Sequence, residues 1–177
     1  LAVLVLGGIR SGKSRWAESL IADTVGPDTA VRYLATGVTS VDAAWSVRVA
    51  RHRERRPAHW STVESSDVAT QLRADGAATL LDDVGGWLTA AMDRRDAWNA
   101  GSVSDDVDEF LEAVAEFRGP LVLVSPEVGL SVVPATESGR RFADELGTLN
   151  QRLAALCECV VLVVAGQPVT IKGVLDD

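Results

Sequence analysis

The segment Gly7-Gly8-Ile9-Arg10-Ser11-Gly12-Lys13-Ser14, directly behind the apolar run of residues 1–6, has the complete form G-x-x-x-x-G-K-[ST] of a phosphate-binding loop. Each residue type has a physical task. Glycines let backbone N–H groups close round phosphate oxygens, Lys13 neutralises the β and γ phosphates, and the Ser14 hydroxyl can hold Mg²⁺. The flanks agree. Residues 1–6 are short, uncharged and β-competent, and Trp16, Ala17, Leu20 and Ile21 recur at helical spacing behind the loop. Strand, glycine loop and helix follow in the required order, which makes a nucleoside triphosphate the first ligand to consider.

The remaining chain repeats that alternation. Apolar, β-rich runs at 1–6, 31–35, 78–81, 121–124 and 160–165 predict strands, with possible edge strands at 60–64 and 169–172. Helical spacing predicts helices over 14–23, 41–55, 67–74, 87–94, 104–117 and 138–157, the last amphipathic through Phe142, Leu146, Leu149, Leu153 and Leu156. Only Gly26-Pro27-Asp28 and Asn99-Ala100-Gly101-Ser102 look like linkers, and both are too short to part domains. The expectation is an α/β, P-loop NTPase-like (RecA-like) fold: a mainly parallel sheet flanked by helices in a single domain over 1–177.

A formal net charge of −8 argues against nucleic acid and against an anionic membrane surface as partners, since both need a basic face. No run approaches the roughly 18 apolar residues of a membrane span, so no membrane insertion and a cytoplasmic location are expected. The two cysteines, Cys157 and Cys159, form neither a disulfide framework nor a metal set, and read as buried or idle thiols.

Catalytic phosphate loops pair with an acidic residue at the end of a neighbouring strand that helps to hold Mg²⁺. Ala78-Thr79-Leu80-Leu81-Asp82-Asp83 supplies it, with Asp82 first in line and Asp83 free to cap the next helix. Gly85-Gly86 behind it permits a close backbone approach or a flexible turn. Of the two histidines, His59 stands in a proline turn and reads as structural, whereas His52 lies in Arg48-Val49-Ala50-Arg51-His52-Arg53-Glu54-Arg55-Arg56 among five arginines. That cluster is either a solvated helix face or a second polyphosphate contact. Neighbouring arginines disfavour the imidazolium, leaving His52 neutral and available as a nucleophile.

Several separated segments together resemble the bifunctional adenosylcobinamide kinase/adenosylcobinamide-phosphate guanylyltransferase family of cobalamin biosynthesis. They are the loop with Ala17-Glu18, Tyr33-Leu34-Ala35-Thr36, His52 with Arg56-Pro57-Ala58-His59-Trp60 and Glu64, Leu80-Leu81-Asp82, Glu127-Val128-Gly129 with Val133-Pro134, and residues 147–154. The resemblance implies two reactions. A nucleoside triphosphate, ATP or GTP, gives its γ-phosphoryl group to the aminopropanol hydroxyl of the corrinoid. A histidine matching His52 then attacks the α-phosphorus of GTP, releases pyrophosphate, and passes GMP to adenosylcobinamide phosphate. It further implies catalytic roles for His52 and Lys13, nucleotide or metal contacts at Gly7, Gly8, Ile9, Arg10, Ser11, Gly12, Lys13, Ser14, Thr36, Gly37, Val38, Arg53, Glu54, Arg55, Arg56, Glu64 and Asp82, and a homotrimer.

Two departures stand out. Ser125-Pro126 replaces the Thr-Asn usual before Glu127, and Asp83-Val84-Gly85 replaces the usual Cys-Leu-Thr after Asp82. Glu127 itself is a candidate base or positioning group for the acceptor hydroxyl, or a structural carboxylate. Two other readings of the whole chain are a small-molecule kinase without guanylyl transfer and a nucleotide-binding regulatory subunit.

Overall fold

The computed structural model describes residues 1–36 and 57–174. The predicted helix over 41–55 lies outside them, as do Gly37, Val38, His52, Arg53, Glu54, Arg55 and Arg56. Along the described chain run β1 (Ala2–Gly7), α1 (Lys13–Val25), β2 (Arg32–Ala35), β3 (Ser61–Glu64), α2 (Val68–Ala74), β4 (Thr79–Asp82), α3 (Val84–Arg94), α4 (Ser104–Glu116), β5 (Leu121–Pro126), α5 (Glu137–Leu156), β6 (Cys159–Val164) and β7 (Gln167–Lys172).

The strands form one sheet in the order β3-β2-β4-β5-β1-β6-β7, parallel throughout except for β7, which returns antiparallel to β6. Alternation of side chains sorts the strand residues onto two faces. Leu4, Leu34, Leu81 and Leu123 pack beneath α2, α3, α4 and α5, while Val3, Val5, Leu80 and Val122 pack against Ala17 and Ile21 of α1. Burial on both faces explains why these strands read as continuous apolar runs. One register row crosses the sheet: Glu64, Ala35, Asp82, Val124, Val5 and Val161. The carboxyl ends of the parallel strands therefore line one edge, where such folds bind ligands.

Caps fix most helix starts. Asp67 accepts from Thr70 N–H at 3.1 Å, Asp83 from Gly86 N–H at 2.9 Å and Thr136 from Gly139 N–H at 3.1 Å. The Asp83 cap starts α3 at Val84, three residues before the sequence reading, so Gly85 and Gly86 lie in a helical turn and not in a flexible one. A second boundary also shifts. Ala165, expected at the end of the strand over 160–165, joins Gly166 in a two-residue turn with φ of 50° and 77°, the left-handed pairing that a tight hairpin needs.

Cys157 caps the C-terminus of α5 and Cys159 opens β6, both buried, as the idle-thiol reading expected. Burial pushes the Cys157 thiol up to about 12 and raises Cys159 as well.

Lys172 of β7 reaches the open carbonyls at the end of α5, donating to Ala154 O at 2.8 Å, Ala155 O at 3.2 Å and Cys157 O at 2.7 Å. The cation thus complements the negative end of the helix and ties the hairpin to the layer beneath. Lys172→Met keeps the stem and removes the donors; urea unfolding should show a loss of about 1–2 kcal/mol, and an unchanged midpoint would contradict that role.

Candidate active site

β1 ends at Gly7, the loop turns through Gly8 to Gly12, and α1 begins at Lys13. Gly12 has φ 95°, a conformation that side-chain-bearing residues rarely adopt, and a Cβ there would lie 3.1 Å from the Gly166 Cα. The Gly166 N–H donates to the Ser11 carbonyl at 2.7 Å, so the turn between β6 and β7 braces the loop from outside. Within the loop, Ser11 N–H donates to Gly8 O at 3.3 Å and Lys13 N–H to Ser11 Oγ at 3.3 Å. Lys13 Nζ folds back onto Gly8 O at 3.3 Å. Unlike α2, α3 and α5, α1 has no side-chain bond at its N-cap residue, and the start of such a helix favours an anion.

Opposite the loop stands Asp82. Its Oδ1 accepts from Ser14 Oγ at 3.2 Å across the intervening strand β5, and its Oδ2 accepts from the hydroxyl of Tyr33, which is 1% exposed. Thr36 Oγ1 points to Asp82 O at 3.0 Å and Asp83 O at 2.5 Å, fixing the end of β4 against β2. The contact between Ser14 and Asp82 brings a hydroxyl and a carboxylate together at the start of α1, an oxygen pair suited to a hard cation. Among the described residues no three acidic, histidine or cysteine side chains cluster tightly enough to hold a metal by themselves. Ser14 and Asp82 thus offer two oxygen ligands of the kind a hard cation takes. Burial raises the Asp83 carboxyl above the usual carboxylate range, and the charge of Asp82 pushes it the same way, against its bond from Gly86 N–H and the nearby Lys13.

The two departures from the family pattern meet in space. A Cβ on Gly85 would lie 2.9 Å from Pro126 Cγ and 3.2 Å from its Cδ, so the bare helix turn at residue 85 makes room for the ring at 126. Ser125 Oγ bonds Asn150 Oδ1 at 2.6 Å, and Asn150 Nδ2 donates to Pro126 O at 3.0 Å, anchoring the end of β5 to α5. Glu127 donates its N–H to Gly7 O at 3.1 Å, while its carboxylate accepts from Gly129 N–H at 2.7 Å and Leu130 N–H at 2.9 Å. That carboxylate serves a turn.

The structure thus brings Gly7 to Ser14 and Asp82 together, with Thr36 beside them and Glu64 exposed at the far end of the same edge. His59 is exposed in the turn closed by Trp60 N–H to Pro57 O at 3.0 Å. Sequence reasoning did not single out Tyr33, Asn150 or Gly166 as parts of the site. Tyr33 and Asn150 lie within segments that carried the family resemblance, and Gly166 lies in the gap between the strands expected at 160–165 and 169–172.

Residues 3–171 match the family described as cobinamide kinase / cobinamide phosphate guanyltransferase. The chain belongs to that family. It is 42% identical over 174 residues to the bifunctional adenosylcobalamin biosynthesis protein CobP of Pseudomonas aeruginosa, covering 96% of each chain. The proteins of the same description named CobU, from Salmonella typhimurium and Escherichia coli, are 36% and 34% identical, each covering 97% of this chain and all of the relative. A solved ATPase from the type III secretion system of pathogenic bacteria superposes with a TM-score of 0.53 at 14% identity. The match covers 91% of this chain and 51% of the ATPase, and bears on the fold alone. The expected α/β P-loop architecture and the expected transferase family are both met, and nucleoside triphosphates are the substrates that this loop and family imply.

The packing at 85 and 126 is testable as a pair. Gly85→Ala should cost about 1–3 kcal/mol in the wild-type background through overpacking against the ring. Most of that cost should vanish when Pro126→Ala is also present, as a double-mutant cycle of thermal unfolding would show; strictly additive losses would mean that the two positions do not press on each other.

Proposed function

We propose that this protein phosphorylates adenosylcobinamide with a nucleoside triphosphate and then transfers GMP from GTP, through a guanylylated His52, to give adenosylcobinamide-GDP. The observation that carries the reading is the braced loop with Ser14 Oγ 3.2 Å from Asp82, on a chain matching the family over residues 3–171. Loop N–H groups from Gly7 to Ser14 and the Lys13 ammonium hold the β and γ phosphates, and Ser14 with Asp82 holds Mg²⁺. The ion supplies charge neutralisation on the phosphates when bound. Gly37, Val38, Arg53, Glu54, Arg55 and Arg56, outside the described residues, complete the nucleotide contacts with Thr36 and Glu64.

The sheet edge supports this division of labour. Glu64 and Val5 are four strands apart in one register row, about 19 Å, which gives a triphosphate, ribose and base room to lie across it. In the first reaction the acceptor hydroxyl attacks the γ-phosphorus and loses its proton, and the nucleoside diphosphate leaves. In the second, an imidazole nitrogen of His52 attacks the α-phosphorus, pyrophosphate departs, and the corrinoid phosphate displaces the imidazole.

The chain forms a single P-loop domain over 1–177 that works in the cytoplasm as a homotrimer. No described helix is long and apolar enough to cross a membrane. β7 is exposed along its whole length and carries Val169 and Ile171 at 53% and 59% exposure, apolar surface suited to a subunit contact.

GTP labelled at the α or γ phosphorus tests both reactions. Wild type should retain acid-labile α-label on the protein and pass γ-label to adenosylcobinamide, and His52→Ala should lose only the first. Absence of α-label on wild type, or its persistence in His52→Ala, would remove the guanylyltransferase mechanism.

A further inference from the structure

The two oxygens of the Asp82 carboxylate have different partners. Oδ1 accepts from Ser14 Oγ at 3.2 Å, and Oδ2 accepts from the hydroxyl of Tyr33. Neither donor is near Asp82 in sequence, since Ser14 lies in the first turn of α1 and Tyr33 in β2. Sheet register explains how the second one reaches it. Tyr33 pairs with Leu80, two residues before Asp82 on β4, so Tyr33, Leu80 and Asp82 share the face of the sheet that α1 covers. The phenol therefore reaches diagonally from β2 to the end of β4.

The two donors hold the carboxylate in different ways. Ser14 is half-buried at the start of a helix, and its bond is longer than the about 2.7–2.8 Å usual for a hydroxyl donor. Tyr33 is 1% exposed and packs in one cluster with Val3, Val5, Ala17 and Ile21, so its ring is held on all sides. Filling that space does not require the hydroxyl. A phenylalanine has nearly the same volume, and a phenol oxygen costs free energy to bury unless it is bonded. Here the oxygen sits on a carboxylate at the reaction edge, and its bond leaves Oδ1 turned to Ser14.

We infer that Tyr33 is a positioning residue for the cation site: its phenol fixes the rotation of the Asp82 carboxylate, so that Oδ1 is presented beside Ser14 Oγ. This rests on the reading of Ser14 and Asp82 as cation ligands given above. Without the phenol hydroxyl the carboxylate is free to turn about its side-chain bonds, and Oδ2 loses its donor. Hydrogen bonds to ligating side chains typically change metal affinity by about ten- to a hundredfold.

Tyr33→Phe in the full chain removes the hydroxyl and keeps the ring. Electron paramagnetic resonance of free Mn²⁺ gives the cation affinity of the protein bound to a non-hydrolysable GTP analogue. The variant should bind Mn²⁺ about tenfold or more weakly, while a fluorescent GTP analogue in EDTA binds within about twofold of wild type. Unchanged Mn²⁺ affinity would overturn the inference. So would an equal loss of nucleotide affinity with and without metal, which is the mark of a packing role. In an Asp82→Ala background, Tyr33→Phe should change Mn²⁺ affinity by less than about twofold; a further loss as large as in wild type would place its effect elsewhere. Tyr33 is the chain's one tyrosine, so wild type isotope-labelled at the tyrosine Cζ gives a single NMR resonance and tests the inference without any variant. Adding Mg²⁺ to the complex with the GTP analogue should shift that resonance, and an unmoved resonance would overturn the inference. Wild type whose affinity for the GTP analogue is the same with and without Mg²⁺ would end the cation reading and the role of Tyr33 with it. Failure of the variant and resonance tests alone would leave the cation reading intact.

Discussion

The lock between the phosphate loop and the β6–β7 turn is the constraint on which the rest of the site depends. A side chain at Gly12 would be strained at φ 95° and would press a Cβ to 3.1 Å from the Gly166 Cα, where Gly166 N–H bonds the Ser11 carbonyl at 2.7 Å. With that turn made, α1 points its N-terminus over the sheet edge, and Ser14 comes within reach of Asp82. The loop's turn is held by bonds made within the protein itself. Lys172 extends the chain of dependence, because it ties the strand after this turn to the end of α5.

Electrostatics makes local arrangement decisive. A chain of net charge −8 should repel a polyanion at long range. Screening limits that repulsion to about 8 Å at physiological salt, so the N–H groups and Lys13 within contact distance prevail. Two adjacent carboxylates at the same edge work the other way. Asp82 is held by hydroxyls from Ser14 and Tyr33, while Asp83 is partly buried and capped, with its carboxyl raised by that burial. Ser14 and Asp82 would hold a cation whose charge would offset that of the two acids.

Local patterns were legible in the sequence and contacts between distant segments were not. The loop, the strand ending in Asp82 and the amphipathic α5 each announce themselves within about a dozen residues, because periodicity and turn chemistry are properties of short windows. The parallel sheet followed from the alternation of these units. By contrast, the bond from Tyr33 to Asp82 spans 49 positions, and nothing near either residue signals it. The fit of Gly85 to Pro126 is of the same kind. Two departures that look unrelated along the chain form one contact. The sequence allows Gly85-Gly86 a close backbone approach or a flexible turn; both lie in the first turn of α3, where the Asp83 cap outweighs their poor helix propensity. Of the two readings of Glu127, acceptor base or structural carboxylate, its bonds from Gly129 N–H and Leu130 N–H are those of a structural group.

One triphosphate site serving both chemistries is the central claim, and Lys13 tests it most directly. Lys13→Ala removes the ammonium assigned to the β and γ phosphates and leaves the proposed nucleophile His52 in the sequence. Rates of γ-transfer to adenosylcobinamide and of α-label incorporation into the protein should be measured on the same preparation, with circular dichroism confirming an intact fold. Both should fall by about 10²-fold or more, because the same cradle presents the γ-phosphoryl group in one reaction and steadies departing pyrophosphate in the other. Survival of either reaction at the wild-type rate would show that the two chemistries use separate sites.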